Sequence, residues 1–279
     1  MENVLISNPL EFERKKATIK AGGPNALHIV ADFDKTLTTG LLNGEKRRSL
    51  VEMIRKYNYL TPEYAPRSYE LFNTYHPFEE DQSLPMELRK AKMVEWWSTH
   101  VEWMSQCGMS KSIVEKIVRE QELGPREGLH TFLDTLQSKA IPLLILSSSV
   151  TDLIEGFLQK DGVMHPNIHV ISNKYTFDAN GKVTGYENKI VHSMNKDETV
   201  IHGTPYESMI HDRKNVLLLG DSLDDVGMVA GFDHDVVIKI GFLNDDSGRL
   251  SDYQKVYDVV IVHDGNIDFV NELLNEIIP

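Results

Sequence analysis

The 279-residue chain has a single cysteine, three tryptophans and no apolar run near the roughly 20 residues a membrane span requires. Cys107, alone, can form neither an internal disulfide nor a cysteine zinc cluster, which suits a reducing compartment. The opening "MENVLISNPLEFERKK" lacks the basic-then-apolar order of a secretory signal, so none is expected. Basic residues are scarce as well: 29 Lys and Arg against 42 Asp and Glu give a net charge of −13. That balance argues against nucleic acid or an anionic membrane as partner, and any anionic substrate then needs a local basic pocket. No heptad seam or extended apolar stripe stands out, so a monomer is expected. Together the absences predict a cytoplasmic protein. Hydrophobic residues at 41% and charged residues at 25% are enough for a conventional core.

The apolar residues come in short runs that end abruptly in polar ones: "LHIVADFD" (27–34), "IPLLILSSS" (141–149) and "NVLLLGDS" (215–222). "VVIKI" (236–240) and "DVVIVHD" (258–264) follow them. Runs of this length without clean alternation predict strands buried on both faces, as in a parallel sheet. Helical patterns lie between them, in "GLHTFLDTLQSK", "TDLIEGFLQK" and the closing "NIDFVNELLNEII". Alternating strand and helix predicts an α/β domain with a doubly wound, mainly parallel sheet. "YTFDANGKVTGY" predicts a β-hairpin closed by a type I′ turn at Asn180-Gly181. Residues 41–125 differ, lacking a strand run and reading as amphipathic helices in "EKRRSLVEMIRKY", "MELRKAKMVEWWSTHVEWM" and "SKSIVEKIVREQ". Pro62, Pro66, Pro77 and Pro85 are expected to break the interval between the first two. The predicted organisation is a catalytic core of residues 1–40 and 126–279, with a helical cap of 41–125 that selects substrate.

Ligands bind outside the carboxyl ends of the strands in an open α/β sheet. Three runs deliver polar groups there: Asp32 and Asp34; Ser147 to Ser149; and Asp221, Ser222, Asp224 and Asp225. Carboxylates gathered without a cation repel one another and are partly protonated. A hard divalent cation such as Mg²⁺ resolves the conflict, taking carboxylate, water and phosphate oxygens. The competing reading makes these aspartates turn formers and helix caps, and it holds best for Asp224. A phosphoryl group beside Mg²⁺ also needs hydrogen-bond donors and positive charge. Ser147 and the amides near it qualify for the first. For the second, chemistry alone leaves Lys174, Lys189 and Lys196 as alternatives.

"DFDKTLT", "ILSSS", the lysine of "MNKDE" and "LLLGDSLDD", in that order, resemble the four motifs of the haloacid dehalogenase superfamily of phosphohydrolases. The resemblance implies that Asp32 is the nucleophile and forms an aspartyl-phosphate, while Asp34 protonates the leaving alcohol and then deprotonates water. Ser147 and the backbone amide of Ser148 are implied to bind phosphate, and Lys196 to neutralise it. Asp221 would complete a Mg²⁺ shell with a carboxylate oxygen of Asp32 and the backbone carbonyl of Asp34. Asp225 would orient a metal water or the lysine.

"MVEW", "HPNIHVISN" (165–173), "GYENKIVHSMNK" and "IKIGFLND" (238–245) extend the likeness to the type III cytosolic 5′-nucleotidases, also called pyrimidine 5′-nucleotidases. That likeness implies Mg²⁺-dependent hydrolysis of nucleoside 5′-monophosphates, CMP and UMP first, with N7-methyl-GMP in one branch. Glu95 matches the cap glutamate that meets the base, where a carboxylate suits the cytosine amine. The residues alone favour an amphipathic helix with Glu95 in solvent and Trp96 and Trp97 packed on the core. Two departures from the family pattern stand out: Ser147-Ser148-Ser149 in place of S-A-G, and Asp224 where glycine is usual. Alternatives are a phosphatase for a sugar phosphate or phosphoserine, a phosphotransferase, and a non-catalytic core that binds a nucleotide or partner.

Overall fold

A computed structural model describes residues 3–42, 45–47, 49–81, 83–187, 189–245 and 248–278. Seven strands form one sheet in the order β1 (Val4–Ile6), β11 (Val259–Val262), β10 (Val236–Leu243), β9 (Asn215–Gly220), β2 (Leu27–Ala31), β5 (Leu143–Val150), β6 (Ile168–Asn173). All neighbours pair in parallel except β1, which runs antiparallel to β11. The alternation that the apolar runs hide is resolved by packing. Ile29, Ala31, Leu217 and Leu219 face one core, while Val30, Leu144, Leu146, Val216 and Leu218 face a second. The first core is covered by α1 (Pro9–Gly22), α6 (Leu129–Ser138), α7 (Thr151–Lys160) and α10 (Asp268–Ile277). The second is covered by α8 (Pro205–Ile210) and a 3₁₀ turn at Asp224–Val229. α9 (Leu250–Val256) closes the edge near β11 through Tyr253 and Tyr257. The sheet is thus doubly wound and mainly parallel, with β1, β6, α1, α8 and α9 as elements beyond those expected.

Between β2 and α6 the chain makes a short pairing of β3 (Leu41–Leu42) with β4 (Glu45–Lys46), then four helices. These are α2 (Leu50–Lys56), α3 (Tyr64–Glu80), α4 (Met86–Gln106) and α5 (Lys111–Glu120). α3 occupies the interval where prolines were expected to break the chain. Pro66 lies in its first turn, where no intrahelical N–H is required, whereas Pro77 sits inside the helix near its end and forgoes one intrahelical hydrogen bond. The two chain crossings run side by side: Thr38 bridges Pro125, and Thr39 N–H donates to Gly124 O at 3.1 Å.

The hairpin of β7 (Tyr175–Phe177) and β8 (Val183–Tyr186) is present, but its turn is not type I′. Only Gly181 has positive φ, at 77°, and Asp178 closes the loop by accepting from Asn180 N–H and Lys182 N–H. A longer loop with a left-handed glycine matches strand twist equally well. The hairpin leans on the helical segment, where Val183 N–H donates to Met109 O at 3.0 Å and Lys111 N–H to Gly181 O at 2.8 Å. Among the described residues no helix is long and apolar enough to cross a membrane.

Candidate active site

The carboxyl ends of β2, β5 and β9 are neighbours in the sheet, so the polar residues that follow them share one rim. Asp32 extends the β2 ladder, its N–H donating to Leu219 O at 3.0 Å. Asp221 follows β9 immediately. On β5 the pairing with β6 slips between Leu146 and Val150, so the three serines form a bulge. A bulge re-aims side chains out of strand register. Ser147 Oγ accepts the Ser149 N–H at 3.1 Å, which leaves its own O–H free to donate elsewhere. Ser148 O and Val191 O both accept from Asn173 Nδ2, at 2.9 Å each, tying the serine bulge to the segment that carries Lys196.

Lys196 is 8% exposed, and its ammonium sits between two carboxylates. It donates to Asp32 Oδ1 and, at 3.0 Å, to Asp225 Oδ1. The other two candidate lysines are elsewhere: Lys174 pairs with Glu187 at 3.2 Å, half exposed, and Lys189 is exposed. Asp225 Oδ2 accepts the N–H groups of Asp221 and Ser222 at 3.0 and 2.9 Å. One carboxylate oxygen each from Asp32, Asp221 and Asp225 lies within 4.8 Å of the others. Oxygens this close suit a hard divalent cation, and the three acids with Lys196 leave two negative charges for it to cancel.

The electrostatics follow from this crowding. Burial raises the Asp32 carboxyl against the pull of Lys196, and Asp225 raises it further. Burial, then Asp32 and Asp225, hold Asp221 well above the usual carboxylate range. Burial opposes the charge of Lys196, yet Asp225 and Asp32 outweigh it and keep the ammonium above its ordinary value. Asp34 stands apart from the cluster. Its Oδ1 accepts Leu50 N–H at 3.2 Å, and burial with the Asp32 charge pushes it up to about 7.

Three residues that sequence did not single out support this rim. Tyr253 of α9 and Tyr257 just after it donate their hydroxyls to the carbonyls of Asp221 and Ser222, respectively. Gly220 is required by close approach: a Cβ there would lie 2.5 Å from Asp225 Cβ and 2.9 Å from Tyr257 Oη. A glycine directly before the acids was the available signal.

Glu95 lies on α4 with its side chain half exposed. Oε1 accepts from Tyr75 Oη at 2.8 Å and Oε2 from Lys92 Nζ at 2.6 Å. Those two donors hold Glu95 below its ordinary range, Lys92 more than Tyr75. Trp96 stacks on Tyr75 at 6.1 Å and meets Phe72 edge-on, whereas Trp97 packs on the main core. Met194, two residues before Lys196, packs against this aromatic group, and Ser193 Oγ donates to Glu79 Oε1 at 2.6 Å. The Glu95 cluster therefore adjoins the segment carrying the buried lysine.

The sequence matches the family model of pyrimidine 5′-nucleotidase (UMPH-1) over residues 35–278. The chain belongs to that family. It is 34% identical over 275 residues to 7-methylguanosine phosphate-specific 5′-nucleotidase A of Xenopus laevis, covering 98% of this chain and 95% of that protein. The crystal structure of cytosolic 5′-nucleotidase IIIB bound to cytidine superposes with a TM-score of 0.88 at 29% identity, covering 99% of this chain and 94% of that one. A phosphoserine phosphohydrolase-like protein from Francisella tularensis shares the fold at TM-score 0.53 and 14% identity, covering 88% and 99%. The pyrimidine 5′-nucleotidase family is one of phosphoric monoester hydrolases on a haloacid dehalogenase-like fold, as the motifs implied. Of the two departures from its pattern, Ser149 is buried with no hydrogen-bond partner for its Oγ among the described residues, and Asp224 is exposed.

Proposed function

We propose that this chain is a Mg²⁺-dependent 5′-nucleotidase that converts nucleoside 5′-monophosphates to nucleoside and phosphate through an aspartyl-phosphate. The observation that carries the reading is the buried Lys196 ammonium between Asp32 and Asp225, with Asp221 in the same cluster. Asp32 Oδ attacks phosphorus and the bond from phosphorus to the ester oxygen breaks. Asp34 gives its proton to that departing oxygen, and a carboxyl raised to about 7 is protonated in about half of the molecules at neutral pH. Asp34, now a carboxylate, takes a proton from water, whose oxygen attacks the aspartyl-phosphate and releases phosphate and the Asp32 carboxylate. Ser147 Oγ and the Ser148 amide bind the phosphate oxygens, and Lys196 keeps Asp32 ionised and aimed. Asp32, Asp221 and the Asp34 carbonyl would hold Mg²⁺, which supplies the positive charge a phosphate dianion meets here. Asp225, with both oxygens already occupied by Lys196 and two amides, positions the lysine and the Asp221 loop.

Residues 41–125 act as the cap over a core of 1–40 and 126–279. Glu95 accepts a donor on the base while Trp96 and Tyr75 offer aromatic faces. The cytosine amine of CMP suits the carboxylate, and the cationic ring of N7-methyl-GMP suits both carboxylate and aromatics. The relative crystallised with cytidine and the relatives named for 7-methylguanosine phosphate support both as substrates. A cytosolic location follows the same relative. Hydrolysis of CMP, UMP, N7-methyl-GMP, a sugar phosphate and p-nitrophenyl phosphate, each with and without Mg²⁺, tests the reading. Nucleotides are expected to be preferred and Mg²⁺ required. Glu95→Gln is expected to lower nucleotide kcat/KM by about 10- to 100-fold while sparing p-nitrophenyl phosphate, the loss of one charge-assisted hydrogen bond. Nucleotides no better than the sugar phosphate would overturn it.

A further inference from the structure

Arg126 lies between α5 and α6, where the chain returns from its helical segment, and its side chain is fully buried. Its guanidinium points at backbone rather than at the acid cluster. Nε donates to Thr36 O at 2.8 Å, and Nη2 to Lys35 O at 2.6 Å, Thr38 O at 3.1 Å and Asn244 Oδ1 at 3.0 Å. Nη1 donates to Gly265 O and, at 3.1 Å, to Asp264 Oδ1. The plane lies on the Phe242 ring, 4.1 Å from its centroid. Asn244 Nδ2 gives Lys35 O a second donor at 2.9 Å. Asp264 then accepts Gly40 N–H at 2.7 Å and Leu41 N–H at 2.8 Å.

These bonds converge on the turn that follows Asp34. Lys35 has φ of 65°, a left-handed conformation that disfavours a residue with a side chain and persists only where surroundings hold it. Two donors on its carbonyl do so here. That carbonyl belongs to the peptide joining Lys35 to Thr36. Without its donors Lys35 can leave the left-handed region and tilt the Asp34 carboxylate away from Leu50 N–H. The Asp34 carbonyl keeps its place through the bond from Lys35 N–H to Thr38 Oγ1 at 2.8 Å. Asp32 is held separately, through the strand bond to Leu219. We infer that Arg126 is a positioning residue for phosphoryl transfer: by clamping the Lys35 carbonyl against Asn244 and Asp264, it fixes the direction of Asp34 while leaving Asp32 in place.

The inference rests on the proposed nucleotidase reading, and its test separates the two. Lysine has one ammonium and cannot serve six acceptors, so Arg126→Lys loosens the clamp while keeping the charge. Only the alkoxide leaving group of a nucleotide needs the Asp34 proton; p-nitrophenolate departs without it. Arg126→Lys and Asn244→Leu are therefore expected to cut kcat/KM for CMP about 30- to 100-fold, as misplacement of an acid does, and that for p-nitrophenyl phosphate less than about 3-fold. KM for CMP stays near wild type. Asn244→Leu spares the buried guanidinium, and so carries the test should the arginine variant fail to fold. Equal losses on both substrates, or a lower melting temperature with an unchanged ratio, would make Arg126 merely structural and overturn the inference. Wild-type protein inactive on every ester would instead sink the nucleotidase reading, and this inference with it.

Discussion

Neutralising Asp221 should stabilise the metal-free protein and abolish its response to Mg²⁺. Oxygens of Asp32, Asp221 and Asp225 lie within 4.8 Å of one another, so each ionised pair repels by about 3 kcal/mol at an effective dielectric of about 20. Lys196 offsets one such repulsion for Asp221, which leaves a net relief of about 3 kcal/mol when an ionised Asp221 loses its charge. Asparagine keeps the shape and an oxygen. In wild type, Mg²⁺ at 100 times its dissociation constant should stabilise by about 2.7 kcal/mol, or roughly 4 to 6 °C in melting temperature for a chain of this size. The assay is thermal unfolding of wild type and Asp221→Asn in chelator and across a Mg²⁺ series. Wild type should rise with Mg²⁺; the variant should start higher and stay nearly flat. A variant that melts lower in chelator, or that keeps the full Mg²⁺ shift, would refute the reasoning that these acids are held together for a cation.

Two further outcomes follow from buried groups around the site. His100 Nε2 lies 2.9 Å from Tyr64 Oη and 3.1 Å from Ser68 Oγ, and burial, then the Arg55 charge, pushes the ring down to about 3. Its unfolded value is about 6.5, so the stability from keeping it neutral is full above that pH and is lost as pH falls towards 3, by about 2 kcal/mol between 6.5 and 5. His100→Gln should flatten denaturant-measured stability over that range by a similar amount, and parallel pH curves would contradict this. Gly220→Ala places a Cβ 2.5 Å from Asp225 Cβ. It should cost about 1–3 kcal/mol in stability as overpacking does, with a loss of kcat as Asp225 shifts away from Lys196. A wild-type unfolding midpoint would show that the contact relaxes freely.

The central strands were legible because burial on both faces demands continuous apolar runs, and Ile29, Leu144 and Leu217 all belong to such runs. β1 was not, since Val4–Ile6 is only three residues long and draws its partner from the far end of the chain. The prolines of α3 misled for two reasons: Pro66 lies in the first turn, where its missing N–H costs nothing, and Pro77, though inside the helix, is so near its end that the helix runs on past a single lost bond. Acids ending separate runs announced a shared rim, yet chemistry alone could not choose among Lys174, Lys189 and Lys196, and only the motif resemblance singled out Lys196. Only the fold buries Lys196 between Asp32 and Asp225. Arg126 left no signature at all, because most of its partners are backbone carbonyls, which every residue has.

The most direct measurement concerns Asp32 itself. Protein mixed with CMP labelled at phosphorus and quenched in acid within milliseconds should carry label on the peptide containing Asp32, released by hydroxylamine as an acyl phosphate. Asp32→Asn should fold and carry none. Label found on Asp34 or on a serine, or undiminished turnover by the asparagine variant, would contradict the assignment of Asp32 as the nucleophile.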